Sequence, residues 1–550
     1  MTIGVAPGAN DAPNAYGFLD RGRTVAPAGF NRWLVPPCAL AMHLSIGMAY
    51  GFSVFWLPLS RALGVAKPVE CKAMTLVQAM TTTTCDWRVS DLMWTYSIFF
   101  VVLGAAAAIW GGWLERVGPR KAGVVAACCW AGGIAIGALG VSWHQLWLLW
   151  LGTGLIGGVG LGLGYISPVS TLIKWFPDRR GLATGMAIMG FGGGAMIGSP
   201  LADKLMKTFA DAHGVGVWPT FLVLAALYFV AMMAGAIGYR VPAEDWKPAG
   251  WTPPAATGPG AGEGSYVHLD DAHRTPQFWM IWAVLLLNVS ASIGIIGVAS
   301  PMLQEVFAGR LIGQPTVAFA ALDPAQKAAI AAIGAGFVGV ISLFNIAGRF
   351  FWATSSDRLG RKPTYAIMTA LGALLYGLAA PSLIGGSAGL FILVFCLCAS
   401  MYGGGFATVP AYLADVFGTR FVGAIHGRLL TAWSTAGVLG PLIVTTMRDH
   451  ALAAKVPAAQ VYPPIYWTLA GLLVAAFLIN LMVRPVDPAL HREAEATAPH
   501  ARGAARAGDE VAAGVTPAVT PAVVAAWLLV LAPIGWGIWQ TAAKAAVLLR

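Results

Sequence analysis

Charge is scarce in this chain. Only 11% of its 550 residues are Asp, Glu, Lys or Arg, against 57% that are hydrophobic. A soluble protein of this length cannot bury so much apolar surface, so lipid must serve as its outer solvent. The few acids stand at the ends of apolar runs (Asp91, Asp203, Glu305, Asp415) and none lies mid-run. That argues against a proton relay built on embedded carboxylates. No His, Cys and acidic residues share metal-ligand spacing, and the glycine strings at 152–164 and 190–194 lack the Lys-Ser/Thr of a nucleotide loop. Neither metal nor cofactor is expected, and the glycines read as seams of close helix contact. The net charge of +10 is no nucleic-acid footprint, because no patch interleaves Lys/Arg with exposed aromatics. Nucleic acid is excluded as a partner, and the lipid bilayer takes its place.

What is present is long apolar runs. They fall at about 35–60, 91–113, 121–142, 145–173, 181–205 and 218–239, then at 277–304, 328–353, 364–384, 387–414, 421–446 and 463–483. Each reaches the roughly 20 residues that a spanning helix needs. The expected fold is an all-α polytopic membrane protein with two six-helix bundles, at 34–240 and 276–484. A Pro/Gly-rich cytoplasmic linker at 241–275 joins them. Residues 1–33 read as a disordered cytoplasmic arm without a signal-peptide cleavage site, and 485–519 as a disordered tail. The segment 520–550 holds one more apolar run, read as a thirteenth spanning helix. Its apolar residues run all round, which disfavours the alternative of lying flat in the interface.

Lys and Arg set the orientation. With the N-terminus inside, cytoplasmic segments carry Arg21, Arg23, Arg32, Arg116, Arg120, Lys121, Lys174, Arg179 and Arg180 in the first half, and a similar set in the second. The opposite side is poorer, so an inner-membrane protein with a cytoplasmic N-terminus is expected, as a monomer. Of seven cysteines, Cys71 and Cys85 share one polar outer loop. Spacing alone leaves a disulfide between them open. His43, the mid-span histidine of the first run, is read as a packing residue rather than a proton carrier.

Two basic loops repeat one pattern. Gly111 to Lys121 contains Glu115, Arg116, Gly118 and Arg120; Ala353 to Lys362 contains Asp357, Arg358, Gly360 and Lys362. The acids lie 242 positions apart, and Trp175-Phe176-Pro177-Asp178-Arg179-Arg180 returns as Val416-Phe417-Gly418-Thr419-Arg420 at nearly that offset. Parallel halves of this kind mark a transporter with a site between two bundles. An acid ending one helix can pair with Arg/Lys and sit at the N-terminus of a neighbouring helix, closing the cytoplasmic side. The gate set is therefore Glu115, Arg116, Arg120, Asp357, Arg358 and Lys362. A membrane enzyme would need clustered nucleophiles or bases at membrane depth, and none is visible. A sensor built on the same fold would need a signalling domain, which the short tail does not supply.

The loop pattern resembles the signature of the major facilitator superfamily. Within it, Gly160-Leu161-Gly162-Leu163-Gly164-Tyr165, Lys174 to Gly185, Thr275-Pro276-Gln277-Phe278-Trp279 and Leu343-Phe344-Asn345 to Trp352 resemble the oxalate/formate antiporter family, over about residues 30–485. The resemblance implies alternating access and, at Arg349, a carboxylate-binding arginine inside a spanning helix. It also implies aromatic site positions at Tyr50, Tyr165, Phe191, Tyr402 and Phe406. The chain departs from the family in its eleventh helix, where Trp433 stands at the position of a second cation, a lysine. One cation against an indole wall suits a monocarboxylate better than oxalate. The expected function is antiport or uniport of a small carboxylate anion, with proton-coupled symport as the alternative.

Overall fold

The computed structural model describes residues 17–545 apart from 66–68, 72–73, 213, 244–245, 253–264, 315–316, 318–320, 379–385 and 493–518. Long helices carry the described chain. In the first half they are α1 (Arg32–Leu59), α2 (Val89–Val117), α3 (Pro119–Ser142), α4 (Leu146–Trp175), α5 (Arg180–Phe209) and α6 (Val217–Gly238). The second half has α7 (Pro276–Leu311), α8 (Pro324–Leu359), α9 (Arg361–Leu378), α10 (Ala388–Phe417), α11 (Val422–Ala453) and α12 (Ala458–Met482). The last is α13 (Pro521–Ala545). Twelve of these are long and apolar enough to cross a membrane. Among the described residues α9 falls short, with 18 residues that open with Arg361, Lys362 and Pro363; positions 379–384 of its apolar run lie outside the described residues.

The helix boundaries follow local chemistry. Pro276 and Pro324 stand in the first turns of α7 and α8, and the preceding Thr275 and Asp323 accept backbone N–H bonds as N-caps. Gly118 ends α2 at φ 88° and Gly360 ends α8 at φ 86°. Both hold the same place in the repeated loop, where the left-handed backbone favours glycine over any residue with a Cβ. In the first half α1 packs on α5 and α6, and α3 on α4 and α6; in the second, α7 packs on α11 and α12, and α8 on α10. The halves meet chiefly through α2 against α11 and α5 against α8.

Three segments depart from the sequence reading. Residues 17–33 have no apolar core, which is why they read as disordered, yet polar bonds hold them to the first bundle. Arg32 forms a two-pronged ion pair with Asp178 at 2.7 and 2.9 Å, Ala26 donates to the Val241 carbonyl at 2.9 Å, and Arg120 donates to the Phe18 carbonyl at 2.9 Å. The linker is partly regular: strand β1 (Tyr266–Val267) pairs antiparallel with β2 (His491–Arg492), so the start of the tail is ordered too. Arg428 on α11 bonds to Asp270 and holds its carboxyl below its ordinary range. The rest of the expected disorder, at 1–16 and 493–518, and residues 253–264 of the linker lie outside the described residues.

The α1–α2 loop is built around one carboxylate. Asp86 accepts the backbone N–H groups of Leu63, Gly64 and Val69 at 2.8–2.9 Å. Cys71 and Cys85 are joined as a disulfide with Cα atoms 5.8 Å apart, which closes the alternative left open by spacing. His144, stacked on Trp87 at 4.0 Å, donates from Nε2 to the Cys85 carbonyl of this loop at 2.8 Å; burial lowers its pKa.

Helix α13 lies along both halves. It packs on α5 and α1 of the first and on α8 of the second. Its less exposed positions include Val523, Trp527, Val530, Ile534, Gly537 and Thr541, a 4-3-4-3-4 spacing that makes a narrow coiled-coil-like seam. Trp527 Nε1 donates to the Trp33 carbonyl at 3.1 Å near one end. The remaining faces expose Leu528, Leu529, Trp536 and Trp539, an apolar surface suited to lipid.

Candidate functional site

The repeated acids reach across the bundle interface in matching ways. Asp357, ending α8, accepts the N–H groups of Gly181 and Leu182 in the first turn of α5, both at 2.8 Å. Glu115, ending α2, accepts the Gly423 N–H in the first turn of α11 at 3.1 Å. Each carboxylate therefore caps the positive end of a helix from the opposite bundle. Cations complete both sites, with Lys174 at 2.6 Å from Glu115 and Arg361 at 2.7 Å from Asp357. Asp415 adds a further cross-bundle pair, taking Arg180 of the first half at 2.9 Å and Arg361 of the second at 3.1 Å.

The expected gate residues divide. Glu115 and Asp357 take the places anticipated. Arg116 and Arg358 are exposed on the outer side of their helices. Arg120 is buried and bonds to the Phe18 and Tyr239 carbonyls, within the first half. Lys362 donates to the Val483 carbonyl at the end of α12. The cations that pair with the acids are Lys174 and Arg361, one in the last turn of α4 and one at the start of α9. Arg358, next to Asp357 on α8, is turned about 100° away from it, whereas the break at Gly360 sets Arg361, the first residue of α9, 2.7 Å from the carboxylate.

Deeper between the bundles, the other expected residues form one connected cluster. Arg349 on α8 is fully buried. Its Nε donates to Asn345 Oδ1 at 3.0 Å and its Nη1 to the Ile188 carbonyl at 3.1 Å, while Nη2 has no hydrogen-bond partner among the described residues. Its guanidinium carbon lies 5.7 Å from the Phe191 ring centre and 5.8 Å from that of Phe406. No carboxylate of the described residues pairs with it. A buried guanidinium without a counter-anion costs several kcal/mol, so this group is built to meet a negative charge.

Trp433 on α11 is the hub of the aromatic wall. Its ring lies 6.3 Å from Tyr50, 5.5 Å from Tyr165, 5.5 Å from Phe191 and 5.1 Å from Phe406, mostly edge to face. Tyr402 joins through its hydroxyl, 3.0 Å from that of Tyr50, and through its ring, 5.4 Å from Phe406. The Tyr165 hydroxyl and the Trp433 Nε1 are buried without hydrogen-bond partners among the described residues. Unpartnered donors therefore stand around the guanidinium on apolar walls, an arrangement that can dehydrate and hold a small anion.

Sequence reasoning missed Phe100, whose ring is 5.7 Å from Trp433 and whose carbonyl accepts from Ser434. It also missed Asn345, one turn before Arg349 on the same face. That i, i+4 spacing was the available signal. His43 is fully buried, with Nδ1 2.5 Å from the Ala187 carbonyl and Nε2 3.1 Å from the Tyr165 carbonyl, and so ties α1 to α5 and α4.

Comparisons with known proteins agree with this architecture. The chain is 26% identical to the oxalate:formate antiporter of Oxalobacter formigenes over 74% of its length and 83% of that protein. It is 25% identical to apicoplast pyruvate carrier 1 of Toxoplasma gondii over 62% of its length and 66% of the carrier. The crystal structure of the E. coli fucose:proton symporter superposes with a TM-score of 0.56 at 12% identity, covering 82% of this chain and all of that one, which is a likeness of fold. The Major Facilitator Superfamily profile matches residues 38–342 and 312–548. With its paired cross-bundle caps and twelve-helix body, the chain belongs to the Major Facilitator Superfamily of membrane transporters.

Proposed function

We propose that this protein is a secondary transporter that carries a small organic carboxylate by alternating access, with Arg349 as its anion anchor. The observation that carries the reading is the buried Arg349 guanidinium, which has no acidic partner among the described residues and whose Nη2 has no hydrogen-bond partner among them. A guanidinium offers parallel donors that match the two oxygens of a carboxylate. Relatives named for oxalate, formate and pyruvate support the same substrate class. Trp433, in place of a second cation, favours a monocarboxylate: one charge is matched and the organic body meets indole and phenyl walls. Tyr50, Tyr165, Phe191, Tyr402 and Phe406 line that cage.

The two bundles rock about this site. Asp357 and Glu115, each capping a helix of the opposite bundle, hold the linker end shut until the bundles part there. The linker end faces the cytoplasm in this reading, in keeping with the Lys/Arg bias, and the membrane is a bacterial-type inner membrane. Exchange of one anion for another suits a site whose only fixed charge is a cation. A bound anion neutralises Arg349 for the crossing, and the return of the bare cation would be costly. Counterflow in proteoliposomes tests the reading: labelled formate or pyruvate should enter against an internal pool of unlabelled anion, and Arg349→Gln should abolish it.

A further inference from the structure

A second polar side chain lies between the cage and the gate, and nothing in the closed arrangement satisfies it. His426 on α11 is fully buried, and neither ring nitrogen has a hydrogen-bond partner among the described residues. Every protonation state of imidazole carries at least one N–H, so a buried ring in this condition bears a desolvation penalty that an apolar residue of its size would avoid. Its neighbours are ordered along α11. Trp433, in the cage, is seven residues on, about two turns away and on the same face. Gly423, whose N–H meets Glu115 at the gate, is one turn before it. The Tyr165 ring of α4 stands 5.8 Å from His426 and 5.5 Å from Trp433, so it separates the cage from the imidazole.

These neighbours belong to opposite halves. Tyr165 is in the first bundle, and His426 is in the second. Around His426, α11 meets α2 at backbone distance: a Cβ on Gly427 would run into Ala107, and one on Gly111 would lie 2.8 Å from the Ala424 Cα. Opening the linker end requires α11 to part from α2 and α4. That movement withdraws Tyr165 from His426 and turns the imidazole toward the passage between cage and gate. Of the nearby polar groups, Ser170 and Lys174 are engaged on Glu115 and His43 on two carbonyls, while the Tyr165 hydroxyl, like the imidazole, has no partner among the described residues.

We infer that His426 is a second hydrogen-bonding station for the carboxylate, met between the Arg349–Trp433 cage and the Glu115 gate on the linker-side leg of the path. An imidazole N–H donates to a carboxylate oxygen there, so the anion leaves the guanidinium for another donor rather than for an apolar wall. The inference rests on the carboxylate-transport reading of the Arg349 site.

The test uses the full-length protein reconstituted in proteoliposomes, with radiolabelled formate, pyruvate and oxalate as probes. His426→Leu removes the polar group and keeps most of the volume; His426→Gln keeps a donor. Loss of one hydrogen bond along the path should slow counterflow of the transported anion about 10-fold in His426→Leu. His426→Gln should restore the rate to within about threefold, since its amide can donate to the same oxygen. The midpoint of thermal unfolding should stay level or rise in His426→Leu, because an unsatisfied group has gone. Wild-type counterflow in His426→Leu overturns the inference. So does an equal loss in both variants with a lowered unfolding midpoint, which marks a packing role. Arg349→Gln, run alongside, separates the premises. If it too binds and exchanges carboxylates normally, the reading of the Arg349 site is what fails.

Discussion

Asp357 accepts the Gly181 N–H at 2.8 Å, and this single bond joins the end of a second-half helix to the start of a first-half one. Glu115 makes the mirror connection to Gly423 at 3.1 Å. A duplicated loop thus becomes two latches related by the repeat, each a carboxylate at a helix N-terminus. In the proposed reading the pair sets the closed end of the transporter, and Arg349 sets what it holds.

The latch can be loosened without touching the cage. Asp357→Asn removes the charge that faces Arg361 and the α5 N-terminus, a loss of about 1–2 kcal/mol in a part-buried setting. The Gly181 and Leu182 amides should then exchange hydrogen for deuterium about 10-fold faster, as read by mass spectrometry of peptides spanning this turn. Arg358→Gln should leave them unchanged, because Arg358 is exposed.

Trp433→Lys should convert the preference of the site. A second cation opposite Arg349 suits two carboxylates, so oxalate should gain at least about 10-fold over formate in competition for counterflow. An unaltered ranking of the two anions would remove Trp433 from the account of selectivity.

The α1–α2 loop depends on its disulfide. Cys71 and Cys85 close a loop of sequence separation 14, and chain entropy assigns such a closure about 3 kcal/mol. Cys71→Ser with Cys85→Ser should lower the unfolding midpoint measurably. The wild-type protein should yield a disulfide-linked peptide pair in a non-reducing digest.

Two glycines of α13 make a matched test of its docking. A Cβ on Gly537 would lie 3.0 Å from Ile197 and 3.3 Å from Met196, whereas one on Gly535 would meet nothing within 4 Å. Gly537→Leu should lower stability by about 1–3 kcal/mol through overpacking. Gly535→Leu should be neutral or slightly stabilising, since it also removes a helical glycine.

How far the sequence could be read depended on the scale of the signal. The Arg349 cluster was legible only through the resemblance to the oxalate/formate antiporter family, whereas helix number and the repeat rest on residue types at fixed spacing, and such patterns survive folding unchanged. Gly118 and Gly360 are legible for that reason: a helix end that turns left-handed needs glycine in both copies. The partners of the two acids were less legible. Lys174 meets Glu115 from the end of α4, and Arg361 takes the place of Arg358 across the helix break at Gly360, so proximity in sequence misled. The folding of residues 17–33 was also hidden. The apolar residues of that segment are too scattered to read as a core, and it is held by Arg32 on Asp178, by Phe30 on Trp175, by Trp33 on Phe176 and by backbone bonds, with partners more than a hundred residues away. His426 could not be singled out at all, because an unsatisfied imidazole is visible only when every neighbour has been placed.

The central claim is that Arg349 binds the carboxylate that this protein moves. Counterflow of labelled formate and pyruvate into proteoliposomes, comparing wild type with Arg349→Gln, addresses it most directly. The account predicts saturable entry by the wild type of at least one of these anions and loss of at least about 100-fold in the variant, as expected when a charged hydrogen-bonding pair is removed. Saturable carboxylate entry that persists at the wild-type rate in Arg349→Gln would contradict it.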